Sequence, residues 1–339
     1  MESISSGKIR LKKGNTYFFI CYALVCGGKS TFFEQILSQT GTEENKSNYN
    51  VIMVSSDQIR ADLSREMQKK NPEMTFKQCF DKLSRETARE FDTQIFQALK
   101  KRDKNKINII LVDKNYPQGI NAFVKKFCKY PANQFFIVFI PNIEKGIEIN
   151  ELKFPFSLNY FIQCYLRLKN RHGHEVLNGE DEESRLVYVS FFKLFQNFDF
   201  YKNVKGTKSE DSKQEKNEKE EDKSTAKKKE RSRDKDYYYN KNKGDRFNFD
   251  KNIFIHKIDF TDESKEIKID ENLEKFFNDV IAKMKAFDMK DIKEKYQKDI
   301  DNYFDLLDKE YDGKNTFEDT REKIKEEVTD LLNNGYNEQ

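Results

Sequence analysis

Nine consecutive residues carry the clearest chemistry in this chain: Ala23-Leu24-Val25-Cys26-Gly27-Gly28-Lys29-Ser30-Thr31. An apolar run, Tyr17 to Val25, leads into the glycine pair, and a helix-compatible segment from Thr31 to Leu37 follows. Strand, glycine loop and helix in that order make a phosphate-binding loop. Backbone N–H groups wrap phosphate oxygens, and the helix N-terminus adds a favourable dipole. Lys29 is then expected to reach the β- and γ-phosphates, and the Ser30 hydroxyl to ligate Mg²⁺. Ala23, Gly27, Gly28 and Thr31 complete the expected nucleotide-binding set. Ala23 stands where the usual pattern starts with glycine, and Cys26 replaces a second glycine often present. A strand followed by a Gly-Gly turn and a chance Lys-Ser is the plain alternative.

Three further constellations have chemical content. Asp57, in Ser55-Ser56-Asp57-Gln58-Ile59-Arg60, ends the second apolar run on the same expected sheet edge as the loop. A carboxylate there can accept the proton of an attacking hydroxyl. Arg60 falls in the first turn of the next helix, where a cation opposes the helix dipole unless an anion lies beside it. The plain alternative makes Ser56 or Asp57 an N-cap and Arg60 a surface residue. Asp113, in Ile109-Ile110-Leu111-Val112-Asp113-Lys114-Asn115-Tyr116-Pro117, closes another apolar strand. It is placed to hold a metal-bound water or order an arginine, with Asn115 and Pro117 turning at the cleft, unless the segment is a simple turn. Arg167 and Arg171 are four apart, with Lys169, His172 and His174 close by. On one helix face they suit a lid that stabilises a transferring phosphoryl group, or else form a solvated basic face.

Five β-like runs must position these residues: Thr16–Ala23, Tyr49–Ser55, Ile107–Val112, Gln134–Ile140 and Ile253–Phe260. Most are apolar on both faces, as buried parallel strands are. Helical stretches alternate with them: Thr31–Ser38, Gln58–Lys70 continuing into Phe76–Lys101, Gly119–Tyr130, Phe156–Leu177 and Glu183–Asn197. The alternation predicts a doubly wound α/β fold, a parallel sheet of about five strands with its ligand at the carboxyl ends.

The core is expected over residues 1–204 and resumes at 250–284. Between them, 205–249 is Lys, Glu, Asp, Ser and Asn with almost no aliphatic residue, and such a segment reads as a disordered insertion. Its basic stretch Lys227–Arg233 is either a solvated spacer or a nuclear or nucleic-acid signal. Residues 285–339 read as a helical tail, with stripes at Ile292, Tyr296, Ile300, Tyr303, Phe304 and Leu307, and then at Phe317, Ile324, Val328 and Leu331. A capping box, Thr316-x-x-Asp319, opens the second stripe. The tail is an accessory hairpin or a surface for a protein partner.

The 62 basic and 59 acidic residues nearly cancel, so net charge alone does not argue for nucleic acid. Five cysteines without a CxxC pair suit reduced thiols in an intracellular protein, cytoplasmic or nuclear. Lys12-Lys13 ahead of Tyr17–Val25 resembles a short signal peptide, yet cleavage there would destroy the loop, so the run is expected to be a buried first strand. No apolar run approaches the ~20 residues of a membrane helix.

The order of the four sites resembles the polynucleotide 5′-hydroxyl kinase module of the P-loop NTPase type. The likeness is greatest to the kinase domain of fungal and plant tRNA ligases, over roughly residues 15–200. The resemblance implies that Asp57 is the general base and that Arg60 binds a phosphate next to the acceptor hydroxyl. It also implies that Asp113 and Asn115 form the Asp-x-Asn turn, and that Arg167 and Arg171, followed by His174, form the lid. ATP or GTP with Mg²⁺ would be the donor, and a nucleic-acid 5′-hydroxyl end the partner. Cys26, Lys114 and the long insertion depart from the pattern, and the ligase's nucleotidyltransferase and phosphodiesterase motifs are lacking. A degenerate nucleotide-binding subunit of an assembly and a small-molecule kinase are the competing expectations.

Overall fold

The computed structural model describes residues 8–116, 120–128, 134–140, 146–149, 151–172, 177, 179, 182–196, 252–258, 270–284, 289–310 and 317–337. The 205–249 insertion, with its basic stretch, lies outside them, as do Pro117, His174 and Thr316.

Strand β1 (Lys8–Ile9) precedes β2 (Thr16–Cys21), whose six residues are all buried. Helix α1 (Lys29–Thr40) leads to β3 (Tyr49–Ser55). The single long helix expected after β3 is instead three: α2 (Ser56–Lys70), α3 (Phe76–Lys82) and α4 (Ser84–Lys100). Pro72 cannot continue α2, and Thr75 restarts the chain with a reciprocal capping box to Gln78. Strand β4 (Ile107–Asp113), helix α5 (Ile120–Phe127) and strand β5 (Gln134–Ile140) follow. A hairpin not expected from sequence, β6 (Ile147–Ile149) and β7 (Leu152–Phe154), leads to α6 (Leu158–Lys169) and α7 (Glu182–Leu194). After β8 (Ile253–Lys257) come α8 (Glu271–Phe276), a π turn at Phe277–Ile281, α9 (Met289–Glu310), α10 (Phe317–Asn334) and β9 (Tyr336–Asn337).

Five strands form one parallel sheet in the order β3-β4-β2-β5-β8. Period-two alternation along β2 divides the core. Phe18 and Ile20 join residues of α4 to α9, whereas Tyr17, Phe19 and Cys21 join α1, α10 and the odd positions of β4. Helices thus cover both faces, which is why central strands without a polar face are stable. The chain leaves β2 toward β3 on one side and later crosses to β5 on the other. The carboxyl edge beside β2 is therefore a topological switch point, where open α/β sheets place their ligands.

The last two helices are built into these two cores. Ile292, Tyr296, Ile300, Tyr303, Phe304 and Leu307 of α9 are buried in the first cluster, and Ile324, Val328 and Leu331 of α10 in the second. Helix α10 lies against α1, where Gln39 donates to Thr329 Oγ1 at 3.1 Å, and against β8, where His256 meets Glu327 at 3.2 Å. Of the two alternatives for the tail, these apolar stripes are used within the chain: that of α9 packs against α6, α7 and α8, and that of α10 against α1 and the sheet. The Tyr17–Val25 run is equally interior, with β2 the central strand. Among the described residues, no helix is long and apolar enough to cross a membrane. All five cysteines are free thiols.

Candidate active site

The carboxyl ends of β2, β3 and β4 open into a cavity of about 570 Å³, within the usual range for a small-molecule site. Its floor is the loop between β2 and α1. Cys26 has φ 61° and Gly28 φ 93°, so two residues of this short loop take the left-handed conformation. Glycine adopts it freely and cysteine at a cost of roughly 1–2 kcal/mol. Between them Gly27 has no room for a side chain. A Cβ there would collide with the Tyr160 hydroxyl and lie 2.9 Å from the Leu24 carbonyl. The loop is thus clamped from above by α6.

Gly28 is the N-cap of α1, with no side-chain hydrogen bond and no acidic residue in the first turn. The first N–H groups of this twelve-residue helix therefore have no side-chain cap, and Gly28, Lys29, Ser30 and Thr31 all line the cavity. That is the electrostatic character of an anion site. Ala23 is buried beneath the floor and does not line the cavity.

Lys29 Nζ is ion-paired with the Asp113 carboxylate, both side chains being largely buried. Asp113 ends β4 directly beside Ser55 of β3, in sheet register. Asn115, two residues on, turns its side chain to the cavity, and its Oδ1 is buried without a hydrogen-bond partner among the described residues. A buried acceptor of this kind is costly unless a ligand or water donates to it.

Ser55 settles the capping question at α2. It is the N-cap and accepts from the Gln58 N–H at 3.4 Å, which leaves Asp57 exposed in the first turn, on the cavity wall. Asp57, Ala61 and Arg65 all line the cavity, and their four-residue spacing puts them on one helix face. Arg60 does not join them. Its Nε donates to the Phe80 carbonyl at 2.8 Å, its guanidinium lies 3.9 Å from the centroid of the Phe80 ring, and it is absent from the cavity lining. Burial lowers the Arg60 pKa, and Asp81 and Asp57 oppose that shift. Arg60 ties α2 to α3 and is not an arginine of the cavity. Arg65 is, and sequence reading missed it; its signal was the i, i+4, i+8 spacing from Asp57 through a small residue.

Arg167 and Arg171 both reach the cavity, although only the first is helical. Helix α6 ends at Lys169, Asn170 is its C-cap and a further cavity residue, and Arg171 follows outside the helix. Arg167 is 6% exposed, an unusual degree of burial for a cation. Arg171 donates to Cys26 Sγ at 3.8 Å, so the sulfur of the unusual loop cysteine ties Arg171 to the loop. Burial pushes the Cys26 thiol up, and the charges of Arg171, Arg167 and Lys29 pull against it. The outcome is a neutral thiol, not a nucleophile. Lys114 points elsewhere, 5.2 Å from the ring centroids of both Phe91 and Tyr116, and burial lowers its pKa.

The cavity thus collects Lys29, Arg65, Arg167 and Arg171 against Asp57 and Asp113, with a helix N-terminus at its floor. Four cations facing two carboxylates suit a polyanion and leave one carboxylate, Asp57, for proton transfer. Among the described residues no group of three or more His, Cys, Asp or Glu could hold a metal on its own. A Mg²⁺ held through phosphate oxygens and the exposed Ser30 hydroxyl needs no such group. No protein-family model and no characterised protein sequence matches this chain.

Proposed function

We propose that this chain is a phosphotransferase of the P-loop NTPase type that moves the γ-phosphoryl group of ATP or GTP to a 5′-hydroxyl end of RNA or other nucleic acid. One observation carries the reading. A single cavity holds a glycine-loop helix N-terminus without a side-chain cap, a lysine, a carboxylate on the neighbouring strand end and two arginines, one from α6 and one just beyond its end. Each part answers a need of phosphoryl transfer, in which positioning and charge neutralisation supply most of the rate.

The first-turn N–H groups of α1 and Lys29 bind the phosphates, and Lys29 exchanges its Asp113 partner for them. Mg²⁺, when bound at Ser30, neutralises charge on the donor phosphates. Asp113, released from Lys29, orients water on that side, and Asn115 accepts a hydrogen bond through Oδ1. Asp57 orients the acceptor hydroxyl and takes its proton. Arg167 and Arg171 stabilise the charge that builds on the transferring group. Arg65, on the same helix face as Asp57, contacts the acceptor phosphate, the role the resemblance gave to Arg60.

A second reading keeps the donor chemistry and changes the acceptor. Arg60 is engaged with Phe80, so the contact that would mark a polynucleotide acceptor is not made by the expected residue, and a small-molecule alcohol fits the remaining geometry. The test is incubation with γ-labelled ATP or GTP and Mg²⁺, offering 5′-hydroxyl oligonucleotides, nucleosides and simple polyols in parallel. Label on the oligonucleotide that disappears with Lys29→Ala supports the first reading, and label on a small alcohol alone supports the second. Triphosphate binding without transfer to any acceptor would mean a nucleotide-binding subunit.

A further inference from the structure

At the opposite, amino-terminal edge of the sheet lies a second concavity of about 1000 Å³, between the loop that enters β2 and the loop that leaves α4. Lys13, Lys100, Arg102 and Lys104 line it against a single carboxylate, Asp103. That carboxylate is engaged within its own turn, where Asp103 Oδ1 accepts from the Asn105 N–H at 2.8 Å. Lys13, Lys100 and Lys104 make no ion pair with a described residue. In a chain whose charges almost cancel, four cations converging from two segments about ninety residues apart are a concentrated field.

The groove is constructed, not an accident of loose surface lysines. Asn108, 2% exposed at the start of β4, binds both basic segments at once. Its Nδ2 donates to the carbonyls of Asn15 (3.2 Å), Asp103 (2.8 Å) and Lys106 (3.2 Å), while its Oδ1 accepts from Asp103 N–H at 2.7 Å. The Gly14 N–H donates to the Lys106 carbonyl at 2.8 Å. Gly14 itself has φ 82°, and a Cβ there would lie 3.2 Å from the Lys104 carbonyl, so close approach and conformation both favour glycine. A buried amide that fixes one cationic loop against another orders in advance the backbone that carries the charges. Arg102 is braced by its Nε bond to the Leu99 carbonyl at 2.7 Å, and half-buried Phe96 adds aromatic surface to the wall.

We infer that this groove binds the phosphate backbone of a single nucleic-acid strand, remote from the phosphoryl-transfer cavity. Cations spread along two braced loops beside an aromatic and amide wall suit a strand with stacked bases better than a compact anion. The choice of nucleic acid over another polyanion rests on the kinase reading; the anion site itself does not. Strand β2 separates the two places by about 20 Å, at ~3.3 Å per residue. A dinucleotide in the cavity is too short to touch the groove, whereas a 20-mer can reach it.

The decisive measurement is equilibrium binding of a fluorescent single-stranded RNA 20-mer to the full chain across a salt series. The variants are the triple Lys13→Glu/Lys100→Glu/Lys104→Glu and a matched control, Lys275→Glu/Lys298→Glu/Lys309→Glu, at exposed positions outside the groove. The groove triple should bind roughly tenfold or more weaker at low salt, with a log K against log salt slope shallower by about two. Triphosphate binding and the melting temperature should stay at wild-type values. The corresponding triple Lys→Gln should fall between. Unchanged RNA affinity in the groove triple, or an equal loss in the control, overturns the inference. So does a wild-type chain that ignores RNA and binds phosphatidylserine vesicles through the same lysines. Absence of phosphoryl transfer alone would defeat the kinase reading and leave the RNA-binding outcome intact.

Discussion

At the scale of the residue, the Lys29–Asp113 ion pair makes two separable expectations. Lys29→Ala removes the one loop cation and should abolish transfer, with triphosphate affinity down tenfold or more by roughly 1.4 kcal/mol per decade. It also leaves Asp113 largely buried without its partner, so a modest loss of thermal stability should accompany it. Calorimetric titration with ATP and GTP, beside a thermal melt, reads both. Wild-type binding and turnover by this variant would sink the phosphate-loop assignment. Asp57 is exposed and makes no hydrogen bond or ion pair among the described residues, so Asp57→Asn should keep fold and triphosphate affinity while transfer falls by ~10²-fold or more. A variant that still turns over at the wild-type rate would remove Asp57 from the mechanism.

Arg60 and Arg65 make opposite predictions from one helix. Arg60→Ala deletes a bond to a backbone carbonyl and a guanidinium–ring contact, and should cost about 1–2 kcal/mol of stability with little change in acceptor KM. Arg65→Ala should leave the melting temperature near wild type, since its pair with Asp62 is a solvent-exposed i,i+3 contact, and should raise the KM for a 5′-hydroxyl oligonucleotide. Denaturant melts and acceptor saturation curves on the two variants decide it. The reverse pattern would return the acceptor phosphate to Arg60.

At the scale of the element, the loop between β2 and α1 owes its shape to α6. Gly27 sits under the Tyr160 hydroxyl, so Gly27→Ala must displace either the loop or that helix, at roughly 1–3 kcal/mol. Because Arg167 and the end of α6 belong to the same element, triphosphate affinity should fall along with stability. Tyr160→Phe removes the colliding oxygen and should recover part of the loss in the double variant, leaving the contact with the Leu24 carbonyl. An additive double variant, measured by chemical denaturation and nucleotide titration, would show that the clamp does not act through that hydroxyl.

At the scale of the whole molecule, the last helices are part of what holds the site. Helix α10 joins the core that Tyr17 and Phe19 of β2 make with Phe32, Phe33 and Ile36 of α1, so α1, which begins at Lys29, is held between that helix and the strands. Ile324 and Val328 are fully buried there. Ile324→Ala should cost about 2–5 kcal/mol in a denaturant melt, although it lies nearly three hundred residues from the loop in sequence. A chain ended before α10 should expose that apolar face and aggregate. A soluble, nucleotide-binding product lacking α10 would mean that the helix is dispensable after all.

The sequence by itself determined the five strands of the central sheet, the glycine loop and which residues stand at the sheet's carboxyl edge. Continuous apolar runs have one stable use, between two layers of helix, and Ala23–Thr31 carries its own local geometry in Gly27 and Gly28. Asp113 was legible because a strand's last residue must lie at the sheet edge whatever the packing, and Asp57, expected to end the strand, still reaches that edge because it sits in the first turn of α2, two residues past the end of β3. Direction and partnership were not legible. Arg60 turned to Phe80 because α3 breaks away at Pro72 and brings a ring and a carbonyl within reach, a long-range event without a local signal. Arg65 took its place on the cavity wall because a helix repeats its face every four residues, and only the neighbours of α2 decide which face looks inward. The stripes of α9 and α10 announced burial but not its location. Apolar area has no address, and only the packing of α10 on α1 and of α9 on α7 supplied one.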